Sequence, residues 1–295
     1  MRTQAELEAM RAELEESGEY RVLRKLSPPG TVALSADTKM GLFVDVETTG
    51  LDPARHEIIE LAMVPFYYRP DGEITGVGEP FSRLRQPSEP IPPEITALTG
   101  IDDAMVAGQV IDPDEVAAFA APAALVVAHN AGFDRRFAER FSEVFTTKPW
   151  ACSMREVPWT DEGSEGVKLA YLAMSQGFFY DRHRALNDCY AAIELLSRPL
   201  AKSGEIAFAK LLASARRPLW RVWAENSPFD LKDRLKARGY RWNADGAATP
   251  RSWFIDVPDD RIEEELAFLR DEIYQQDIDL LRRRIRAYDR YSDRC

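Results

Sequence analysis

The chain has 295 residues, 45% of them hydrophobic and 29% charged, which is enough for one large core and a smaller second one. Its first residues are charged throughout, no apolar run approaches the ~18 residues of a membrane helix, and its three cysteines are far apart. These features argue against secretion, membrane insertion, a disulfide framework and a thiolate zinc site. They favour a cytoplasmic protein.

The net charge of −11 is unevenly distributed along the chain. Residues 1–197 carry a net charge of −14, residues 198–257 carry +6, and residues 258–295 carry −3. Phosphate binding usually relies on Lys and Arg, so the acidic total argues against a broad nucleic-acid surface. An acidic body with one basic segment suits an enzyme that meets phosphates through metal ions and a modest patch. Uneven surface charge without consequence explains the pattern equally well.

The predicted elements begin with a helical arm over residues 1–37. Three strands follow in GLFVDVETTG, EIIELAMVPFYY and residues 73–84, and they predict an antiparallel meander. After a proline-rich loop come a helix capped by Asp112, the short strand ALVVAHN, and helices that begin with AGFDRRF, Val167 and Leu186. This order predicts an α/β domain over residues 38–198, with a mixed five-stranded sheet flanked by helices.

Beyond this domain the pattern predicts a helical connector over residues 199–218, a small α+β accessory module over 219–257 and a C-terminal helical segment over 258–295. The module holds four of the six tryptophans among seven basic residues. Bases can stack on such aromatic rings, so a single-strand binding module is one interpretation. A unit this small also needs large aromatic side chains for its core, and we favour that explanation for most of them.

Carboxylates stand at three points of the predicted domain. Asp45 and Glu47 lie two apart in a strand, so both project from one face and can chelate a hard metal such as Mg²⁺ or Mn²⁺ together. Asp134 lies in the first turn of a helix, where an acid is also common as a stabiliser of the helix dipole. Each pattern alone is weak.

His183 and Asp188 are five residues apart, about 140° around a helix, so both cannot face one site from a helix. We therefore expect His183 on a loop and Asp188 in the first helical turns. A histidine on a loop can accept a proton from water near neutral pH. Of the two other histidines, His129 is predicted to support a strand end by hydrogen bonding, and His56 to lie in a surface loop.

The segments DVETTGLDP, AHNAGFD and HRALND resemble the three motifs of the DnaQ-like, or DEDD, exonuclease superfamily, in its histidine-containing branch. The resemblance extends over about residues 40–198 and includes the epsilon-type proofreading exonucleases. It implies a ribonuclease H-like fold and removal of nucleoside 5′-monophosphates from 3′ ends. Asn187 departs from the pattern, because many relatives carry a second acid before the last aspartate.

The same resemblance implies the roles of individual residues. Asp45, Glu47, Asp134 and Asp188 would hold two divalent metal ions, Mg²⁺ or Mn²⁺, about 4 Å apart, and His183 would deprotonate the attacking water. Leu51 would act as a wedge between the last two bases, and the loop ITALTGI would close over the terminal nucleotide. The residues expected to contact substrate are Thr48, Gly50, Leu51, Thr99, Asn130 and Phe133.

These motifs leave the polymer open, since the same metals cleave DNA and RNA and the choice rests on the 2′-hydroxyl environment. We expect DNA more than RNA as the substrate, with an exoribonuclease as the alternative. A non-catalytic subunit that binds nucleic acid or a polymerase is a third hypothesis, which the intact set of five catalytic residues disfavours. The sequence also leaves a homodimer or a polymerase partner open.

Overall fold

The structure is a computed structural model that describes residues 2–33, 35–244 and 249–294. The described strands are β1 (Arg24–Lys25), β2 (Lys39–Thr48), β3 (Ile58–Tyr68), β4 (Ile74–Val77), β5 (Phe81–Leu84), β6 (Leu125–Ala128), β7 (Trp150–Cys152), β8 (Phe178–Phe179), β9 (Leu219–Ala224), β10 (Arg241–Trp242), β11 (Trp253–Pro258) and β12 (Arg282–Ile285). The described α-helices are α1 (Gln4–Glu16), α2 (Pro93–Thr99), α3 (Asp103–Val106), α4 (Pro113–Ala120), α5 (Ala131–Phe141), α6 (Ser153–Glu156), α7 (Leu169–Ser175), α8 (Ala185–Ser197), α9 (Ala207–Arg216), α10 (Lys232–Ala237) and α11 (Ile262–Phe268).

The larger sheet has the order β4-β3-β2-β6-β7, and β5 also pairs with β3. Strand β2 is antiparallel to β3 and parallel to β6, and β7 is parallel to β6. The predicted mixed sheet flanked by helices is confirmed. It has six strands where five were expected, because residues 73–84 form two short strands on the outer edge of β3. Pro80, which has no N–H to donate, lies between them.

A core lies on each face of this sheet, since side chains of β2 alternate in direction. Phe43 packs on the side of α7, α8 and α9, whereas Leu42 and Val44 pack on the side of α4 and α5. Helix α9, expected as a connector, belongs to the first of these cores: the ring of Phe208 lies edge-on to Phe66, 5.2 Å between centroids. Connector and sheet are therefore one packed unit.

The N-terminal arm contains the predicted helix, α1, whose Thr3 and Glu6 form a capping box. None of its described residues is buried. Strand β1 then pairs in parallel with β8. Within the described part of the chain, no helix combines the length and the apolar character that crossing a membrane requires.

The second sheet is antiparallel, in the order β10-β11-β9-β12. Helices α10 and α11 cover it through Leu235, Leu266 and Phe268. Its tryptophans are mostly core residues, as favoured: Trp223 is buried, and Trp220 and Trp253 pack against the core at its margin. Trp242 is the exception, because half of its surface is exposed.

The C-terminal segment is only partly helical, which corrects the expectation of a helical segment over 258–295. α11 continues as a π-helical turn to Tyr274, and Gln275 then adopts a left-handed backbone, φ 54°. Residues Arg282–Ile285 form β12 because β9 offers them an unpaired edge. A periodic apolar pattern predicted the helix up to Ile273 but could not reveal a strand whose partner lies some sixty residues earlier.

The last described residues, 286–294, return to the larger domain. The amide of Trp150 donates to the carbonyl of Ala287 at 2.8 Å, and the buried guanidinium of Arg135 donates to the carbonyl of Arg290 at 2.6 Å. Arg290 in turn forms a buried ion pair with Glu156 at 2.6 Å. The tail thus ties the second sheet to α5 and α6.

Candidate active site

Two carboxylates project from the end of β2. Asp45 and Glu47 share the strand face that α8 covers, as their spacing predicted, and both are partly buried. β3 pairs with β2 up to Thr48, but β6 pairs only with Gly41–Phe43. One edge of β2 is therefore free of strand partners beside the two acids.

Asp188 completes a cluster with these acids. It lies in the first turn of α8, and the structure places His183 on the preceding loop, both as predicted. One carboxylate oxygen each from Asp45, Glu47 and Asp188 lie within 4.8 Å of one another. Three oxygen donors at this separation can bind one metal ion.

Asp134, in the first turn of α5, reaches the free edge of β2 from the other side of the sheet. Its Oδ1 accepts a hydrogen bond from the amide of Val46 at 3.3 Å, and its side chain is buried. It thereby replaces a strand partner for the residue between Asp45 and Glu47. The fourth predicted carboxylate borders the three-residue cluster.

Negative charge is concentrated at this site. Burial, and then the charges of Asp134 and Asp188, raise the pKa of Asp45 well above its usual range. Burial chiefly raises the pKa of Glu47 to about 8 and that of Asp134 to about 7. Such groups ionise together only when a cation compensates their repulsion.

One side-chain donor and one backbone donor orient the carboxylate of Asp188. The hydroxyl of Tyr180 donates to its Oδ1 at 2.9 Å, and the amide of Arg184 donates to Oδ2 at 3.2 Å. Burial raises the pKa of Asp188, while the bond from Tyr180 and the charge of His183 lower it. Tyr180 therefore helps to keep this carboxylate ionised.

Glu60 anchors the segment that carries His183. It lies on β3 directly opposite Glu47, is buried, and receives both Arg184, at 3.0 Å to Oε1, and the amide of Ala185, at 3.0 Å to Oε2. The first amide of α8 is thus held by a carboxylate from the sheet. This contact fixes where α8 begins relative to β2.

His183 itself adopts a left-handed backbone conformation, φ 60°. Such a conformation costs a non-glycine residue roughly 1–3 kcal/mol and persists only where the surroundings impose it. Here the flanking contacts of Tyr180 and Arg184 impose it. The histidine side chain is half-buried beside Asp188, at a position from which it can approach the acidic cluster.

The turn after β2 is built around His56. The ring of His56 lies where a side chain on Gly50 would stand, and its Nδ1 accepts a hydrogen bond from the amide of Asp52 at 3.0 Å. The hydroxyl of Thr48 donates to the carbonyl of Gly50 at 2.7 Å. Leu51, 81% exposed, therefore projects from a fixed turn. His56 lies in a loop as expected, but it supports that turn.

The remaining predicted contact residues differ in accessibility. Asn130 is exposed immediately before α5, and Phe133 packs on Phe137 with ring centroids 5.0 Å apart. Thr99 is buried, and its hydroxyl donates to the carbonyl of Ile95 at 2.9 Å while accepting from the amide of Ile101. Its hydroxyl is used to cap the end of α2, which gives no support to the expected contact with a nucleotide.

His129 has the supporting role that was predicted. Its Nε2 donates to the carbonyl of Val167 at 2.8 Å, so Nδ1, 2.9 Å from the Ser153 hydroxyl, acts as the acceptor. Burial lowers the pKa of this imidazole to about 4. It stays neutral at physiological pH and joins β6 to the segment before α7.

Comparison with known proteins identifies the family. A model of the RNase T type, described as an exonuclease, matches residues 42–196, more than half of the chain. The chain belongs to this exonuclease family. The resemblance to DnaQ-like exonucleases that the three motifs carry is thereby confirmed, together with the α/β fold.

Curated relatives agree with this membership. The exonuclease is 30% identical over 183 residues to the DNA polymerase III subunit epsilon of Aquifex aeolicus, covering 59% of this chain and 88% of that protein. It is 32% identical over 175 residues to exodeoxyribonuclease 10 of Escherichia coli K12, covering 55% and 69%. A structure of exonuclease X in complex with 5′ overhanging duplex DNA is 27% identical, with a TM-score of 0.42, and covers 58% of this chain and 99% of that chain.

The donor set of this exonuclease fits a hard divalent cation. All candidate ligands are carboxylate oxygens, and their raised pKa values reflect negative charge that the described part of the chain leaves largely uncompensated. Mg²⁺ and Mn²⁺ prefer such oxygen ligands. The acidic cluster can therefore bind a metal ion.

Sequence reasoning missed the residues that hold this cluster in place. Glu60 is an acid inside an otherwise apolar strand, IIELAMV, and a buried charge in such a run needs a partner. That signal was available in the sequence. The identity of its partner, Arg184, and the role of Tyr180 were not, because these contacts depend on how α8 lies on the sheet.

Proposed function

We propose that this exonuclease is a metal-dependent 3′-to-5′ exonuclease that degrades DNA to nucleoside 5′-monophosphates. The observation that carries the proposal is the convergence of Asp45, Glu47 and Asp188 within 4.8 Å, bordered by Asp134. The direction rests on the three motifs. The preference for DNA rests on two relatives, one named an exodeoxyribonuclease and one a DNA polymerase III subunit.

The acidic residues have one task in this reaction. Asp45, Glu47, Asp134 and Asp188 would hold two divalent ions, Mg²⁺ or Mn²⁺, which supply electrophilic stabilisation of the phosphate and lower the pKa of a bound water. Tyr180 and the amide of Arg184 keep Asp188 aimed into the cluster. Glu60 keeps the first turn of α8 against the sheet.

His183 has the second task, which is to accept the proton of the attacking water at an imidazole nitrogen. It stands on the loop before α8, close enough to Asp188 for its charge to lower the pKa of that carboxyl. The fixed turn of Gly50 and Leu51 would lie against the terminal nucleotide, and Asn130 and Phe133 would line the opposite wall. Binding the last nucleotide there places its phosphate beside the carboxylates.

The test follows degradation of one oligonucleotide sequence that is labelled either at the 5′ end or at the 3′ end. The substrates are single-stranded DNA, 3′-tailed duplex DNA, blunt duplex DNA and RNA. Each is incubated with Mg²⁺ or with Mn²⁺. Attack from the 3′ end releases the 3′ label at once as a mononucleotide and shortens the 5′-labelled strand stepwise. Early release of a labelled 5′ mononucleotide overturns the direction. Faster trimming of RNA overturns the choice of polymer and supports an exoribonuclease.

His183→Ala tests the assigned roles, with Asp45→Ala beside it. We expect each to lower turnover by at least about 100-fold, because a positioned base or a metal ligand is removed, while the thermal unfolding midpoint stays within a few degrees. Asp181→Asn is the matched control, since this exposed carboxylate lies in the same loop and pairs only with Lys25 among described residues. Near-normal turnover by His183→Ala contradicts its role as the base.

We also propose a division of the chain into an arm over 1–37, an exonuclease domain over 38–198 with residues 199–218 packed onto it, a module over 219–257 and a C-terminal segment over 258–295. Polymerase association and a homodimer are separate proposals. Sedimentation velocity of the purified chain alone measures homodimer formation. The same measurement with a replicative polymerase subunit added measures polymerase association.

A further inference from the structure

A cavity of about 470 Å³ lies where the larger domain, the second sheet and the C-terminal tail meet. Gly132 and Arg136 of α5 line one wall, with Arg155 of α6 beside them. The second sheet supplies Arg241 and Trp242 on the opposite wall. The C-terminal tail supplies the rest of the lining, from Arg290 to Asp293.

Its charge is positive in a chain that is acidic overall. Five arginines line it, against two carboxylates, Asp256 and Asp293, and one of the five, Arg290, is already neutralised by the buried Glu156. Arg221 and Arg241 share Asp256, at 2.7 and 2.9 Å, and Arg136 pairs with Asp293 at 2.5 Å. Arg155 has no carboxylate partner within residues 2–33, 35–244 and 249–294. A polyanion is the ligand that such an excess of guanidinium groups recognises.

An aromatic surface accompanies these charges. The ring of Trp242 is half exposed and lies 5.6 Å from that of Trp253, at 64° between planes. Phe254 is in contact with the guanidinium groups of Arg221 and Arg241, 4.6 and 4.8 Å from its centroid. The exposed ring of Trp242, which packs on Trp253 and is bordered by arginines, offers a surface on which a nucleobase can stack.

The position of the cavity relative to the carboxylates gives the ligand a path. Gly132 and Arg136 are one turn apart on α5 and share a face, whereas Asp134 projects from the opposite face toward β2. The cavity and the acidic cluster thus lie on either side of one helix, whose width is about 10 Å. A strand bound at both places would pass over α5.

We propose that this cavity binds the single-stranded polynucleotide upstream of its 3′-terminal nucleotide. The arginines contact its phosphates, and one base stacks on Trp242. The inference rests on the proposed function, since it extends the same strand from the acidic cluster across α5. It makes the second sheet a part of substrate binding and gives the enzyme a reason to prefer strands several nucleotides long.

The test compares long and short substrates with the full chain. The long probe is a fluorescent single strand of about 20 nucleotides, as DNA and as RNA, whose binding is followed by anisotropy with Ca²⁺ in place of Mg²⁺. The short probe is the p-nitrophenyl ester of thymidine 5′-monophosphate, which reaches only the acidic cluster. Wild-type hydrolysis of the short probe establishes the proposed function independently of the cavity.

Trp242→Ala and Arg155→Gln are the variants. We expect Trp242→Ala to weaken binding of the 20-mer by roughly 5-fold to 100-fold. Arg155→Gln should lower the slope of log affinity against log salt by about 0.7, the value for one phosphate contact on a single strand. Hydrolysis of the short probe should stay within 2-fold of wild type in both. Phe229→Ala and Arg234→Gln, exposed residues of the same region that do not line the cavity, are the matched controls.

Weaker binding of DNA, RNA or both by the two variants, with normal hydrolysis of the short probe, supports the inference. Unchanged affinity and salt slope overturn it while leaving the proposed function intact. Equal losses on the long and short probes also overturn it, because the variants would then act through the acidic cluster. If Trp242→Ala does not fold, Arg155→Gln decides alone, since that exposed side chain lies on the larger domain.

Discussion

Glu47→Gln removes one negative charge from the acidic cluster and keeps the size of the side chain. Burial, and then the charges of neighbouring carboxylates, Asp188 first, raise the pKa of Glu47 from its ordinary 4.5 to about 8. Between these two pH values the unfolded chain has lost this proton and the folded chain retains it. The metal-free protein therefore loses stability as pH rises from about 4.5 to 8. The variant has no ionisable group at this position, so its stability does not fall for this reason.

The size of the effect follows from the pKa difference. Without screening by solvent, the pKa difference corresponds to roughly 5 kcal/mol of unfolding free energy at pH 8. Glu47 remains partly accessible to water, so screening lowers the expected gain of the variant to roughly 2 kcal/mol. The difference should be small at pH 4.5 and vanish below it, where the carboxyl is protonated in both states.

Urea unfolding at pH 4.5 and pH 8, with EDTA or with Mg²⁺, measures this gain. Mg²⁺ should stabilise the wild type at pH 8 far more than the variant, which has lost a ligand and should also lose nuclease activity. Glu57→Gln is the control of opposite sign, because hydrogen bonds from Ser88 lower the pKa of Glu57 and its charge contributes stability at pH 8. A metal-free Glu47→Gln protein no more stable than wild type at pH 8 refutes the repulsion argument.

Two further substitutions and one truncation test the supports of the site. Tyr180→Phe removes a hydrogen-bond donor to Asp188, so the pKa of that carboxyl rises further. The acidic limb of the profile of nuclease activity against pH should therefore move to higher pH. The Mg²⁺ concentration needed for half-maximal activity should increase about 10-fold. Glu60→Gln weakens an ion pair whose carboxylate is buried and whose guanidinium is partly exposed. It should cost roughly 1–2 kcal/mol of unfolding free energy and most of kcat, with KM little changed. Ending the chain before Ala287 removes the carbonyl acceptors of the buried Arg135 and should cost at least about 3 kcal/mol.

Controls for Tyr180→Phe and for the truncation separate the proposed mechanism from general damage. Tyr171→Phe loses only an exposed hydroxyl and should keep the wild-type pH profile. Arg135→Met removes the charge that the tail satisfies, so truncation should cost less in that background than in the wild type. Equal truncation costs in both backgrounds, or an unshifted profile for Tyr180→Phe, contradict the corresponding argument.

Local patterns determined the outline of the site. A strand places residues two apart on one face, and this alone sets the shared direction of Asp45 and Glu47. The angle between helical residues separated His183, on a loop, from Asp188, on a helix, and the structure agrees. Both inferences needed only the geometry of a few consecutive residues.

Only the tertiary structure decided what surrounds those residues. Glu60 meets Arg184 from 124 positions away, and Arg135 meets a tail more than 150 positions later. β12 is a strand because an edge of β9 is available, and the apolar period that predicts helices carries no information about that edge. Local periodicity set the shared direction of Asp45 and Glu47, and the resemblance to a known family added Asp134 and Asp188 to them. The supports of the site and the basic cavity depend on long-range packing, which a single sequence does not encode in any local pattern.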